Sequence, residues 1–168
     1  HYQGNALDLS SGGFQITTVN SASEDFFMGM WVHFDTYATS KQFGVDIAGN
    51  YIYFELQSSG AVKIRHTGDG GSSSSSTNLN DGNWHHIALV RESANGSIHF
   101  YFDGVEGGET NNDELIDNDI NDGTLKHFAI GYHTQQNVGT GWFDGNIDDI
   151  RVSNIARYTG DFTPPSSA

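Results

Sequence analysis

The chain has 168 residues and no Cys, and it lacks the run of about 18 apolar residues that a membrane-spanning helix needs, so it is sized for one domain held without disulfides. Seven Lys and Arg stand against 21 Asp and Glu, a formal net charge of −14 that repels phosphate backbones and anionic lipid and argues against nucleic acid and membrane insertion. Aromatic residues make up 12% of the chain, enough burial to set the 21 Gly in a loop-rich fold rather than in disorder.

Segments 5–9 and 14–19 read as short opening strands around a turn at 10–13. Segment 24–35 is apolar on both faces, with Met28, Met30, Val32 and Phe34 on one and Phe27, Trp31 and His33 on the other, as expected of a central strand. Segments 42–47, 51–57 and 61–66 form a meander with turns at Ala48-Gly49-Asn50 and Ser58-Ser59-Gly60. Segment 67–79, with its run of five Ser, cannot bury apolar surface and is expected as an exposed loop.

The chain is organised around 81–108. Two runs rich in β-branched and aromatic residues, 84–90 and 98–102, flank a polar turn with Asn95-Gly96, a strong hairpin signal. Ile98, Phe100 and Phe102 share one face and His99, Tyr101 and Asp103 the other, before Asp103-Gly104 turns the chain back through Val105. Beyond lie an acidic loop at 107–124, strands at 126–132 and 143–152 with a Gln- and Gly-rich loop between, and a tail with Pro164-Pro165. About a dozen short strands with turn signals every eight to twelve residues predict a two-sheet all-β sandwich.

Three segments carry a family resemblance. Trp84-His85-His86-Ile87-Ala88 followed by Phe100-Tyr101-Phe102-Asp103-Gly104 resembles the middle signature of laminin-G-like domains, relatives of the concanavalin A-like lectins and glucanases. Phe143-Asp144-Gly145-Asn146-Ile147-Asp148-Asp149-Ile150-Arg151-Val152, continuing to Tyr158 and closing with Phe162-Thr163-Pro164-Pro165, resembles the last strand and tail in the form common in bacterial and bacteriophage surface proteins. Phe26-Phe27-Met28-Gly29-Met30-Trp31-Val32-His33 matches the early core strand. The resemblance implies a jelly roll of two curved antiparallel sheets over residues 1–162, with 163–168 as an exit tail or linker. It also implies an extracellular, cell-surface or virion setting. The start at His1 without Met points to a processed protein or an excised segment.

Four constellations bear on chemistry. Asp148-Asp149 reads either as a pair satisfied by loop amides, Arg151 and solvent or, as the resemblance implies, as calcium ligands at the sheet rim; alternation sends one carboxylate inward. Asp117, Asp119 and Asn121, ahead of Gly123, offer the alternating oxygen ligands of a calcium loop, though without the EF-hand's closing Glu; the other reading is a solvated acidic turn. The Glu-x-Asp-x-x-Glu strand pattern of the glucanases is absent, as are a nucleophile elbow and zinc-ligand spacing, so no catalytic residue is assigned. In the loop 132–142, Tyr132, His133, Gln135, Gln136, Asn137 and Trp142 combine aromatic faces with planar amides, the mixture that binds sugars; alternatively Tyr132 and Trp142 cap the core. Trp31 and Trp84 are expected in the core.

The expected function is a non-catalytic lectin-like or adhesion module for a cell-surface or matrix glycan. The alternative is a decoration module of a virion, fibre or extracellular filament, whose partners are other subunits of that assembly.

Overall fold

Twelve strands lie among the described residues: β1 (Leu7–Asp8), β2 (Phe14–Thr17), β3 (Phe26–Phe34), β4 (Lys41–Ile47), β5 (Asn50–Leu56), β6 (Val62–His66), β7 (Ser72–Ser74), β8 (His85–Glu92), β9 (Ser97–Phe102), β10 (Val105–Thr110), β11 (His127–Ile130) and β12 (Gly145–Ser153); β7 falls in the serine run expected as a loop, where backbone pairing with β6 makes an edge strand without apolar side chains. The structure, a computed structural model, describes residues 7–8, 14–17, 25–34, 41–47, 50–57, 59–66, 72–74, 78–92, 94–95, 97–110, 127–130, 145–153 and 155–166. One six-stranded sheet has the order β1-β12-β3-β8-β9-β10 and the other β2-β11-β4-β5-β6-β7. Every pairing is antiparallel, and the chain switches between sheets, as a jelly-roll sandwich requires.

The inner face of the first sheet follows the alternation expected from sequence. Met28 lies opposite Leu89, Met30 opposite Ile87 and Val32 opposite both His85 and Ile147; Phe100 and Phe102 continue the rows from Leu89 and Ile87. These apolar side chains, His85 apart, are almost fully buried, as are Phe54 and Val62 from the second sheet. β3 is central, flanked by β12 and β8, which explains why both of its faces carry apolar residues.

Two tight connections have clear chemical causes. Asp103 and Gly104 have φ of 52° and 80° and join Phe102 directly to its partner Val105, the primed two-residue turn that matches strand twist. At the β8–β9 hairpin the Asn95 Oδ1 accepts the Ser97 N–H at 2.9 Å, a local side-chain turn.

The outer face of the first sheet carries a second apolar cluster. Phe27, Ala88, Val90 and Tyr101 are buried there beneath Ala156, Tyr158 and Phe162. Tyr158 and Phe162 stack with centroids 3.6 Å apart and planes 6° from parallel. Phe162 meets Tyr101 edge-on at 5.3 Å, and Tyr158 meets Phe27 edge-on at 5.5 Å. The Phe162 N–H donates to the Gly104 carbonyl at 2.8 Å, and the Glu106 N–H donates to Asp161 Oδ1 at 2.9 Å. The C-terminal segment is therefore clamped across the sheet as far as Phe162, with Pro164 beside Gly104.

Candidate functional site

One rim of the sandwich gathers the connections that could recognise a ligand. β3 ends there at Phe34, opposite the start of β12 at Gly145, and β8 begins there at His85. The β9–β10 turn and the segment 78–84 lie at the same end, where the Leu79 N–H donates to Gly60 O at 2.8 Å and ties that segment to the β5–β6 turn. β11 ends at Ile130 in one sheet and β12 begins at Gly145 in the other, so residues 131–144 connect the two sheets.

A histidine clamp organises this rim. His85 Nδ1 lies 2.8 Å from Asp103 Oδ2, and Nε2 lies 2.9 Å from Asp81 Oδ1. Asp81 Oδ1 also accepts the Asn83 N–H at 2.9 Å, and Asp103 Oδ1 accepts the His86 N–H at 2.8 Å. Partial burial disfavours the charged imidazole, but hydrogen bonds to Asp103 and Asp81 and their negative charges outweigh it, and His85 is held above its ordinary value. Hydrogen bonds from Asn83 and His85 hold the exposed Asp81 carboxyl well below the usual range. An imidazolium that donates from both nitrogens has no lone pair for a substrate proton. The clamp is therefore suited to fixing the 81–84 segment against the β9–β10 turn rather than to general-base chemistry.

The sign of its pH dependence follows. A raised histidine contributes stability in full below pH 6.5, and the contribution fades as pH rises through the folded-state value. His85→Gln should therefore flatten the alkaline side of a melting-temperature profile, by less than about 1 kcal/mol as for other exposed pairs. An unchanged slope above pH 6.5 would contradict the clamp.

Next to the clamp lies a row of aromatic and polar side chains on the outer face. The His33 ring contacts Trp84 at 5.6 Å between centroids, and its Nε2–H donates to the Gly82 carbonyl at 3.2 Å. Asn146 lies opposite His33 on β12. One step along, Asp148, Trp31 and His86 line up across β12, β3 and β8, and the Trp31 and His86 rings meet edge-on at 5.5 Å. Trp31 Nε1 and His86 Nδ1 are buried without a hydrogen-bond partner. Burial pushes His86 down to about 4, against the opposing charges of Asp103 and Asp149.

Trp31 and Trp84 were expected in the core; both are instead half-buried, on the outer face and the rim. Asp148 keeps the strand's alternation and Asp149 departs from it. A bulge lies between Asp148 and Arg151, with Asp149 at φ 51° and its N–H donating to Asp148 Oδ1 at 2.8 Å. Asp148 shares the outer face with Trp31 and Asp149 is exposed, so neither carboxylate enters the core. Among the described residues no three His, Asp or Glu converge on a possible metal position. Tyr132, His133, Gln135, Gln136, Asn137 and Trp142, like Asp117, Asp119 and Asn121, lie outside the described residues. The rim residues His33, Trp84 and Asn146 were not singled out from sequence as binding residues, because their meeting depends on pairing between β3, β8 and β12.

Comparison with known proteins agrees with this architecture. The CBM40 of the Ruminococcus gnavus IT-sialidase, at 11% identity, superposes with a TM-score of 0.67 over 92% of this chain and 92% of its own. Domain 4 of AbnA, an extracellular arabinanase from Geobacillus stearothermophilus, in complex with arabinotriose, is 23% identical with a TM-score of 0.63, covering 90% of this chain and 70% of that one. Domains LG4-5 of the mouse laminin alpha1 chain are 16% identical with a TM-score of 0.58; 87% of this chain is covered, but only 40% of the laminin pair. No curated protein sequence matches at a significant level. A family profile described as the concanavalin A-like lectin/glucanases superfamily matches residues 8–160, nearly the whole chain. With two antiparallel six-stranded sheets in jelly-roll order and that match, the chain belongs to the concanavalin A-like lectin/glucanases superfamily.

Proposed function

We propose that this chain is a non-catalytic carbohydrate-binding module acting outside the cell. Its sugar site would lie on the rim made by His33, Trp84 and Asn146, together with Tyr132, His133, Gln135, Gln136, Asn137 and Trp142 of the connection into β12. The observation that carries the reading is the half-buried Trp84 against His33, held beside a fixed turn and next to the strand that this connection enters. A partly exposed indole offers apolar surface for sugar C–H groups, while amides and imidazoles supply hydrogen bonds. The fold relatives support it: one AbnA structure holds arabinotriose, and CBM40 structures hold α2,3- and α2,6-sialyllactose. A clamped His85 with no free nitrogen and the lack of the glucanase carboxylate pattern support a binding rather than a hydrolytic role.

Isothermal titration with oligosaccharides tests the site. Trp84→Ala and Trp142→Ala should each weaken binding by about 30-fold, near 2 kcal/mol for an aromatic anchor, while the folded far-UV spectrum persists. Unchanged affinity in both variants would dismiss this rim. Failure to bind any glycan, combined with co-assembly on a fibre or virion, would favour the decoration module instead.

Calcium enters this proposal through the side-chain oxygens of Asp117, Asp119 and Asn121, because Asp148 and Asp149 alone supply fewer oxygens than the six to eight or so that calcium takes. A bound ion would raise the melting temperature with concentration, and an identical melt in chelator and in millimolar calcium would remove it.

A further inference from the structure

We infer that His85 is the positioning residue of this rim: its bridge between Asp81 and Asp103 holds Trp84 in place for a sugar, and does so only while both ring nitrogens carry a proton. The inference rests on the reading of Trp84 as a sugar anchor and concerns how that anchor is held and released.

Trp84 stands inside a small ring of hydrogen bonds. Asp81 Oδ1 accepts the Asn83 N–H and the His85 Nε2–H, each at 2.9 Å, so residues 81–85 close on one carboxylate oxygen. The other ring nitrogen, Nδ1, donates to Asp103 Oδ2 at 2.8 Å and fastens the closed loop to the β9–β10 turn. The His85 side chain is only 12% exposed, against 38% for Asp81 and 44% for Asp103, so water has little room to replace either partner at the ring.

An ionised carboxylate has no proton to give, so each contact needs an N–H from the ring. The imidazolium supplies two. The neutral ring supplies one and turns a lone pair toward the other carboxylate. Which contact is lost follows from how the two carboxylates are anchored. Asp103 is fixed independently of His85: its Oδ1 accepts the His86 N–H at 2.8 Å, its own N–H donates to the His86 carbonyl at 2.7 Å, and it sits in a two-residue turn. Asp81 precedes β8, and apart from His85 its carboxylate is held, among the described residues, by Asn83 two positions on. The neutral ring therefore keeps Asp103 and lets Asp81 swing away. Gly82 still accepts from His33 Nε2–H at 3.2 Å and Trp84 still meets the His33 ring, but the loop that fixes its backbone is open. A sugar binding the open form must order that loop again, and the cost appears as lost affinity.

The charges around the ring leave this response intact. Val32, opposite His85 on β3, is apolar, and His33 beside it donates to Gly82 from Nε2 in either charge state. His86 turns to the other face of β8. Lys41 and Lys63 stand at the same end in the facing sheet, and lysines titrate near about 10.4, beyond the range in which a histidine changes charge. Partial burial opposes the charged ring, but the bonds to Asp103 and Asp81 and their charges raise His85, so the closed form persists at pH 6.5 and opens above it.

The test follows affinity and the unliganded protein over one pH range. Arabinotriose, lactose, cellotriose and α2,3-sialyllactose are titrated into the intact chain, beside NMR spectra of the His85 ring and of the Asn83 and Trp84 amides without ligand. The expected result is an affinity that falls about three- to fivefold between pH 6.5 and about 9, the size of one exposed ion pair, with the Asn83 and Trp84 signals moving at the His85 midpoint. His85→Gln, and Asp81→Ala at an exposed position, should each hold the lower affinity at every pH. A wild-type affinity that stays flat through the His85 midpoint, or the wild-type slope kept in either variant, would overturn the inference while leaving the sugar-binding reading intact. If no probe binds at any pH, the sugar-binding reading falls and takes the inference with it, whatever the spectra show.

Discussion

Replacing Phe162 by Ala should destabilise the domain by about 2–3 kcal/mol, somewhat less than the ~3–5 kcal/mol of a fully buried Phe, because the residue is only half-buried. The ring is stacked on Tyr158 and edge-on to both Tyr101 and His86, so its loss uncovers the outer apolar cluster at several points together. Gly104→Ala should produce a similar loss from the opposite side of the same contact. Its φ of 80° strains any side chain, and a Cβ there would stand 1.9 Å from the Phe162 carbonyl oxygen, a backbone atom that can yield only if the segment lifts. Removing residues 165–168 is the matching control and should change little, because the described contacts end at Pro164. Chemical denaturation of the three variants checks this. Equal midpoints for wild type and Phe162→Ala would mean that the C-terminal segment contributes nothing to the fold.

The acid limb of stability should be set in part by His86. Its folded-state value is pushed down to about 4, chiefly by burial, whereas an unfolded histidine titrates near 6.5. A depressed histidine contributes fully above pH 6.5, and the contribution is lost as pH falls toward 4, where the folded protein must charge an imidazole packed against Trp31 and Phe162. The gap corresponds to roughly 3 kcal/mol at about 1.4 kcal/mol per unit. His86→Leu should therefore flatten the fall in urea midpoint between pH 6.5 and pH 4, while carboxylates elsewhere continue to titrate in both proteins. Parallel curves for wild type and variant through that window would show that His86 is not the group responsible. The two histidines of the signature thus act in opposite directions: His85 favours low pH and His86 favours neutrality.

Adjacent residues acquire these opposite roles because strand alternation sends them to different neighbours. Sequence shows that His85 and His86 face opposite ways, but not that Asp81 and Asp103 close on the first or that Trp31 and Phe162 cover the second. The two tryptophans make the same point. Both lie in strongly apolar segments and were expected in the core, yet they are half-buried at its margin. Segment hydrophobicity reports how much apolar area must be buried, not which layer will do it. For Phe27 and Tyr101 the covering layer is the chain's own C-terminal segment, more than fifty residues away along the chain for Tyr101.

By itself the sequence determined the class of the fold: periods of two along β3, β8 and β9, primed-turn residues at Asp103-Gly104, and the central position of a strand apolar on both sides. These are local rules, legible because side-chain alternation and positive φ depend on only a few neighbouring residues. The tertiary structure alone decided which carboxylates flank His85, where a bulge turns Asp149 away from the core, and how His33, Trp84 and Asn146 come to share one rim. Those facts depend on register between strands distant in sequence, which no single segment encodes.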